Sequence, residues 1–149
     1  MRKLILSSIL ILLCSSLIVR GEDAKDAIDE VNEARKARGL RPFIKDKLLT
    51  IAALRIAEHR AKHLIQGHCD DFNFLPEGGS ANAAGCAAWE PSWGWGSCCT
   101  YEGWTHAGAA WCLGRDGRRY MDLFVRGANG DGESGGSSSW DGRRRFRRR

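Results

Sequence analysis

The chain carries no complete catalytic motif. Its six cysteines include no Cys-x-x-Cys pair, which argues against a zinc knuckle and against a dithiol redox motif. No nucleophile elbow is present. His59 and His63 lie four residues apart, but the glutamate that follows the first histidine in metalloproteases is missing. The sequence therefore gives no direct indication of a hydrolase or an oxidoreductase.

Charge is absent from residues 4–19, a run of sixteen residues that is apolar apart from four serines and a cysteine. Arg2 and Lys3 precede this run, and Gly21 lies at the expected cleavage site. This is the pattern of a secretory signal peptide. The run is short for a membrane anchor, since a span needs about 20 residues. We therefore predict a signal peptide over 1–21, a secreted, extracytoplasmic protein, and no transmembrane span after cleavage.

Large apolar residues are almost absent from 127–149, where a glycine- and serine-rich stretch leads into six arginines. Such a composition cannot bury enough apolar area to offset the entropy cost of ordering. We predict one folded domain over 22–126 and a disordered linker and Arg-rich tail over 127–149. Dense, mobile positive charge is suited to an anionic surface polymer as partner, and the alternative is a solubilising tail.

The predicted domain has no excess of positive charge, although the whole chain has a net charge of +5. The signal peptide contains three basic residues, and the tail contains six arginines and three acidic residues. The domain keeps 14 basic and 15 acidic residues, a net charge of −1. A domain that binds nucleic acid through a basic surface is therefore not expected, and no specific nucleic-acid partner is predicted.

Five cysteines remain in the predicted mature chain. They are Cys69, Cys86, Cys98, Cys99 and Cys112. In an oxidising compartment one or two disulfides are expected. A bridge between the adjacent Cys98 and Cys99 would strain the backbone. We expect Cys86 to pair with one of the other four, because the loop-rich segment 67–103 has little regular structure to hold it together.

Periodicity and turn residues predict the elements of the domain. Apolar spacing favours a helix over 26–38 and a second helix from the capping residue Asp46 to about Gln66, with Gly67 as its stop. A Trp/Gly/Cys-rich loop region follows. Asp116-Gly117, between the β-rich runs 105–113 and 118–126, then predicts a C-terminal β-hairpin. Helices first and a hairpin last indicate the α+β class.

Several segments resemble the CAP superfamily, the SCP-like extracellular domain found widely in bacteria. The similar segments are Val31–Arg35 with Gly39–Phe43, Asp46–Ala53, Gly67-His68, Thr105–Ala110 and Asp116–Tyr120. The resemblance implies a small αβα sandwich. It also implies that His68 is the first cavity histidine and that His106 is a second.

The chain departs from that family at its metal cavity. Cys86, in Ala84-Gly85-Cys86-Ala87, stands where the family has a glutamate, and the family's later histidine-bearing helix is replaced by the Trp/Gly/Cys stretch. A cavity of two histidines and two glutamates is therefore incomplete. The resemblance implies a divergent member of the family without its usual metal chemistry.

Three groups of residues are candidates for chemistry: a set of histidines, a pair of tryptophans, and a cysteine beside a histidine. His59, His63 and His68 have spacing compatible with zinc, against the alternative of a solvated His59 and a packed His63. Trp93 and Trp95, in a glycine-rich loop, are candidates for exposed ligand-binding aromatic residues, against the alternative of core packing.

Cys69 follows His68 directly, which would suit a nucleophile, whereas a secreted cysteine near others more often forms an inert disulfide. Our first hypothesis is a secreted, non-enzymatic CAP-like domain that binds an unknown ligand at the loop face around His68, His106, Trp93 and Trp95, without a cofactor. The alternatives are a metal-dependent hydrolase that uses the three histidines with zinc, and a thiol redox protein that uses Cys98 and Cys99.

Overall fold

The computed structural model describes residues 23–96 and 98–127. The predicted signal peptide and, apart from Gly127, the predicted linker and tail lie outside the described residues. The elements are β1 (Lys25–Asp26), α1 (Ile28–Lys36), β2 (Ile44–Lys45), α2 (Lys47–His63), β3 (Ala83–Trp89), β4 (His106–Leu113) and β5 (Arg119–Arg126), with 3-10 turns at Asp71–Phe74 and Pro91–Trp93. No helix among the described residues is long and apolar enough to cross a membrane.

The strands form one sheet in the order β1-β4-β5-β3, and β2 pairs with β4 in parallel. The longer neighbours, β3 with β5 and β4 with β5, are antiparallel. Two helices and a mostly antiparallel sheet confirm the predicted α+β class. Within the sheet order, β3 is an edge strand, and this edge carries the site described below.

The hairpin of β4 and β5 forms as its sequence predicts. The N–H of Gly114 donates to the Arg118 carbonyl at 2.8 Å, and Gly117 has the left-handed φ of 78° that favours glycine. Each strand begins one residue later than the predicted runs 105–113 and 118–126. Local turn chemistry was therefore enough to place this part of the fold.

The two faces of the sheet are covered by different helices. One core holds residues of α1 with Met121, Leu123 and Val125 of β5. The other holds residues of α2 with Tyr120 and Phe124. Strand β5 is therefore buried on both faces, and α1 and α2 lie on opposite sides of the sheet.

Helix α2 begins where the sequence predicts and ends earlier. The Asp46 carboxylate accepts hydrogen bonds from the N–H groups of Leu48 and Leu49 at 2.8 and 3.1 Å, which confirms its capping role. The helix stops at His63 rather than at Gln66, because Leu64 adopts a left-handed φ of 55°. Gly67 is therefore part of the following loop. Helix α1 is also shorter than the predicted 26–38.

The first turn of α2 rests directly on β4 at Gly108. A Cβ atom at Gly108 would lie 2.0 Å from the backbone nitrogen of Thr50 and 2.1 Å from the carbonyl carbon of Leu49. The small residues of β4 therefore allow a close approach of another element, as their sequence predicts.

Candidate functional site

Arg60 fixes the loop that leaves α2. Its side chain is fully buried and donates hydrogen bonds to the carbonyls of Ile65, Gln66 and Gly67 at 2.8–3.1 Å. Its Nη1 also bonds both carboxylate oxygens of Asp122, on β5, at 2.8 Å. Burial raises the pKa of Asp122 to about 7, against the opposing effect of Arg60. The ion pair therefore holds the loop after α2 against the centre of the sheet.

His68 follows this loop and is oriented by Asp71. The Asp71 side chain is buried, and its Oδ2 contacts Nδ1 of His68. Its Oδ1 accepts a hydrogen bond from the Cys69 N–H at 2.9 Å. The His68 side chain is 58% exposed, so one imidazole nitrogen is held and the ring faces solvent. This arrangement pairs a fixed carboxylate with an accessible histidine.

Cys98 lies against the outer edge of β3. Its thiol is exposed, lies 3.5 Å from the Cys99 sulfur, and donates to the Ala84 carbonyl at 3.6 Å. A hydrogen bond from Cys99 lowers the pKa of the Cys98 thiol to about 7, and the positive charge of His68 contributes, against burial and Glu102. Cys99 is buried, and the same hydrogen bond and burial strongly raise its pKa. Only Cys98 of this pair is therefore prone to ionise.

Cys86 and Cys69 lie on the α2 face of the sheet, whereas Cys99 belongs to the core on the α1 face. Cys86 lies opposite Asp122 in the register of β3 and β5, and Cys69 packs against the core below α2. Burial raises the pKa of the Cys86 thiol to about 12 and also raises that of Cys69. Both are therefore protonated at neutral pH.

His68, Cys86 and Cys98 are linked by electrostatic interactions with each other or with shared neighbours. His68 lowers the pKa of both Cys98 and Asp122, while Asp71 and Cys98 raise that of Cys86. We call the group formed by His68, Asp71, Cys86, Cys98 and Cys99 the β3-edge site. His68 and Cys86 are the positions that the family resemblance assigns to a cavity histidine and a cavity acid.

The three histidines of the predicted zinc site do not form one cluster. The rings of His59 and His63 lie 4.6 Å apart between centroids, and His59 also contacts Phe74 at 5.2 Å. His63 is exposed and His59 is half-buried, the reverse of the packing expected for these two residues. Within 23–96 and 98–127 no group of three or more histidine, cysteine or acidic side chains is placed to hold a metal ion.

His106 lies far from His68. It pairs with Arg126 and Ile44 at the start of β4, next to the end of the sheet where Asp46 caps α2. His68 follows the opposite end of α2, whose 17 residues span about 25 Å. The structure therefore separates the two histidines that the resemblance places in one cavity.

The two candidate tryptophans have different environments. Trp93 is 68% exposed, and its ring lies 6.0 Å from that of Trp89. Trp95 is only 7% exposed, and its indole N–H donates to Glu30 at 3.2 Å. The expectation of an exposed Trp95 is therefore wrong, because a half-buried carboxylate on α1 gives its N–H a partner while the ring packs in the core.

Glu30 is the centre of a cluster that sequence reasoning missed. Its carboxylate accepts hydrogen bonds from Trp95, Trp111 and Arg119. Burial raises the pKa of Glu30, but these hydrogen bonds together outweigh burial and lower it. The partners lie 65–89 residues away in the chain, so no local pattern could indicate them. This cluster ties α1 to the sheet and to the tryptophan loop.

No protein-family model, no curated protein and no solved structure matches this chain.

The structure reduces the number of cysteines that can pair with Cys86. All five cysteines of the described residues are thiols in the structure. Cys86 and Cys112 lie on β3 and β4, which are separated by β5, and they pair with different β5 residues, Asp122 and Tyr120. Their Cα atoms are therefore more than about 10 Å apart, beyond the range of a bridge. Cys69 shares with Cys86 the neighbours Arg60, Asp71 and Asp122.

We expect a bridge of Cys86 to use Cys69 and to contribute about 2–4 kcal/mol. The measurement is mass spectrometry of protein exported by its own host and alkylated without reduction. A peptide joining Cys86 to Cys69 is the expected result. Five alkylated thiols, or a bridge to Cys112, would contradict it.

Proposed function

We propose that residues 23–127 form a divergent CAP-like domain of an extracytoplasmic protein, and that it acts by binding a ligand at the β3-edge site. Support for the domain type comes from the sheet covered on both faces and from the capped helix that crosses β4 at Gly108. The matching segments of the sequence and the secretory pattern of residues 1–21 agree with it.

The observation that carries the proposal is that His68 and Cys86 have the charged neighbours Asp71 and Asp122 in common. Sequence similarity alone assigns these two positions to the cavity of the family, and they share charged neighbours at the β3 edge. With a cysteine sulfur in place of the acid, whether free or bridged, the site keeps its location and changes its chemistry. A site lined by sulfur and imidazole favours a soft or electrophilic ligand over a hard cation.

Trp93 offers a second contact for a ligand at the same edge of the sheet. It follows β3, whereas the Cys98 sulfur contacts Ala84 near the start of β3. The five residue steps from Ala84 to Trp89 span about 17 Å along β3. A ligand that contacts both Cys98 and Trp93 is therefore an extended molecule.

Metal content separates this proposal from a metal-dependent hydrolase. We expect protein exported by its own host to hold much less than one metal ion per chain, because His68 is separated from His59 and His63. The measurement is elemental analysis of the purified mature protein, with His63→Ala as the comparison. One tightly held equivalent of zinc that His63→Ala removes would favour the hydrolase that uses His59, His63 and His68.

A further inference from the structure

The accessible thiol of Cys98 has defined neighbours in the structure. Its sulfur is flanked on one side by Cys99, at 3.5 Å, and on another by the Ala84 carbonyl, at 3.6 Å. His68, fixed by the buried Asp71, supplies a cationic neighbour when protonated. The charged or titratable groups that act on Cys98 are Cys99, His68, Glu102 and Cys86. Cys98 is an exposed residue, so solvent reaches it.

We propose that Cys98 is a thiol–disulfide exchange site that captures low-molecular-weight disulfides, with Cys99 and the His68–Asp71 pair as positioning residues. This activity goes beyond ligand binding and does not depend on the family resemblance. A small disulfide is favoured because two sides of the sulfur are already occupied by Cys99 and Ala84. A thiol that ionises near neutral pH attacks a disulfide at working pH, since the thiolate is the nucleophile.

The exchange is a single balanced step. The Cys98 thiolate attacks one sulfur of a disulfide RSSR, and a new bond forms between that sulfur and Cys98. The original sulfur–sulfur bond breaks, and RS⁻ leaves and takes a proton from solvent. Cys98 is oxidised to a mixed disulfide, and one half of RSSR is reduced to a thiol.

The mixed disulfide persists because neighbouring thiols resolve it poorly. Cys99 is buried, which favours its protonated form, and its attack would produce a strained bridge between adjacent residues. Cys86 is either bridged to Cys69, as expected above, or a thiol whose pKa is raised to about 12, so that its thiolate is scarce at neutral pH. The product of the exchange is therefore a mixed disulfide between Cys98 and one small thiol, and an external thiol reduces it.

The test uses the full mature chain and oxidised glutathione as the probe. Peptide mass spectrometry after incubation at pH 7 is expected to show one glutathionyl group on Cys98, and Cys98→Ser is expected to lose it. The pH profile of Cys98 alkylation by iodoacetamide is expected to have its midpoint near 7. An ordinary midpoint of about 8.5, or modification spread over other cysteines, would overturn the proposal.

Two matched pairs of variants test the positioning residues. Cys99→Ala removes the hydrogen-bond donor and is expected to raise the alkylation midpoint by about 1–2 pH units, whereas Cys99→Ser keeps a donor and preserves most of the shift. Since nucleophilicity rises with pKa, the rate at pH 7 falls by only about threefold in Cys99→Ala.

The second pair compares two exposed histidines. His68→Gln is expected to raise the alkylation midpoint, and His63→Gln, which lies outside the site, to leave it unchanged. Equal midpoints in wild type, Cys99→Ala and His68→Gln would remove the positioning role.

The state of Cys98 in exported protein separates this proposal from the function proposed above. A disulfide between Cys98 and Cys86 in protein from its own host would overturn thiol exchange and leave ligand binding standing. Cys98 found as a free thiol, or carrying a small thiol, supports exchange, whatever ligand the β3-edge site binds.

Discussion

Replacing Arg60 by methionine is expected to destabilise the domain by about 3–5 kcal/mol, because it leaves the buried carboxylate of Asp122 without its charge partner. The same change removes the donor for the carbonyls of Ile65, Gln66 and Gly67. The loss of these partly buried hydrogen bonds adds to the cost. Denaturant unfolding followed by circular dichroism measures the difference.

The control is Arg55→Met, an exposed arginine on the same helix, which is expected to change the unfolding free energy by no more than about 0.5 kcal/mol. Combining Arg60→Met with Asp122→Leu removes both charges. The double variant is therefore expected to lose less stability than the sum of the two single changes. A loss in Arg60→Met no larger than in Arg55→Met would show that the ion pair is not structural.

Gly108→Ala is expected to destabilise the domain strongly. Its Cβ would overlap backbone atoms of Leu49 and Thr50 at 2.0–2.1 Å, and backbone has no rotamer that relieves the clash. Helix α2 must therefore move away from β4 and open the core. We expect a loss of about 3 kcal/mol, the upper end of the range for overpacking.

The control for this change is Gly67→Ala, where an added Cβ meets nothing within 4 Å and φ is not left-handed. Thermal unfolding of the two variants beside the parent protein provides the comparison. Equal melting temperatures for Gly108→Ala and Gly67→Ala would mean that α2 does not lie against β4 as described.

The parts of the fold that sequence could predict depend on neighbouring residues. The Asp-Gly turn placed the hairpin within one residue, and Asp46 marked the start of α2. The predicted end of α2 was wrong. The loop that follows the helix is held by Arg60, whose ionic partner is 62 residues further along the chain. Helical spacing could have given one signal, since Arg60 follows Ile56 by four residues on the apolar face of α2.

The candidate site was predicted in its residue types and only partly in its grouping. The alternative hypothesis of a thiol redox protein named Cys98 and Cys99, whose sulfur atoms lie 3.5 Å apart. His106 and His68 were assigned to one cavity, yet they flank opposite ends of α2. The effect of His68 on Cys98 bridges 30 positions of the chain, and only the packing of the loop against the edge of β3 produces it.

The loops around the cores are held chiefly through their backbones. The buried arginines Arg35 and Arg60 donate to the carbonyls of Arg41, Glu102 and Gln66, whose own side chains are exposed. A carbonyl is the same in every amino acid, so these three positions are free to vary in sequence while the anchors stay in place. Loop composition, and with it ligand preference, can therefore diverge rapidly on a scaffold that does not change.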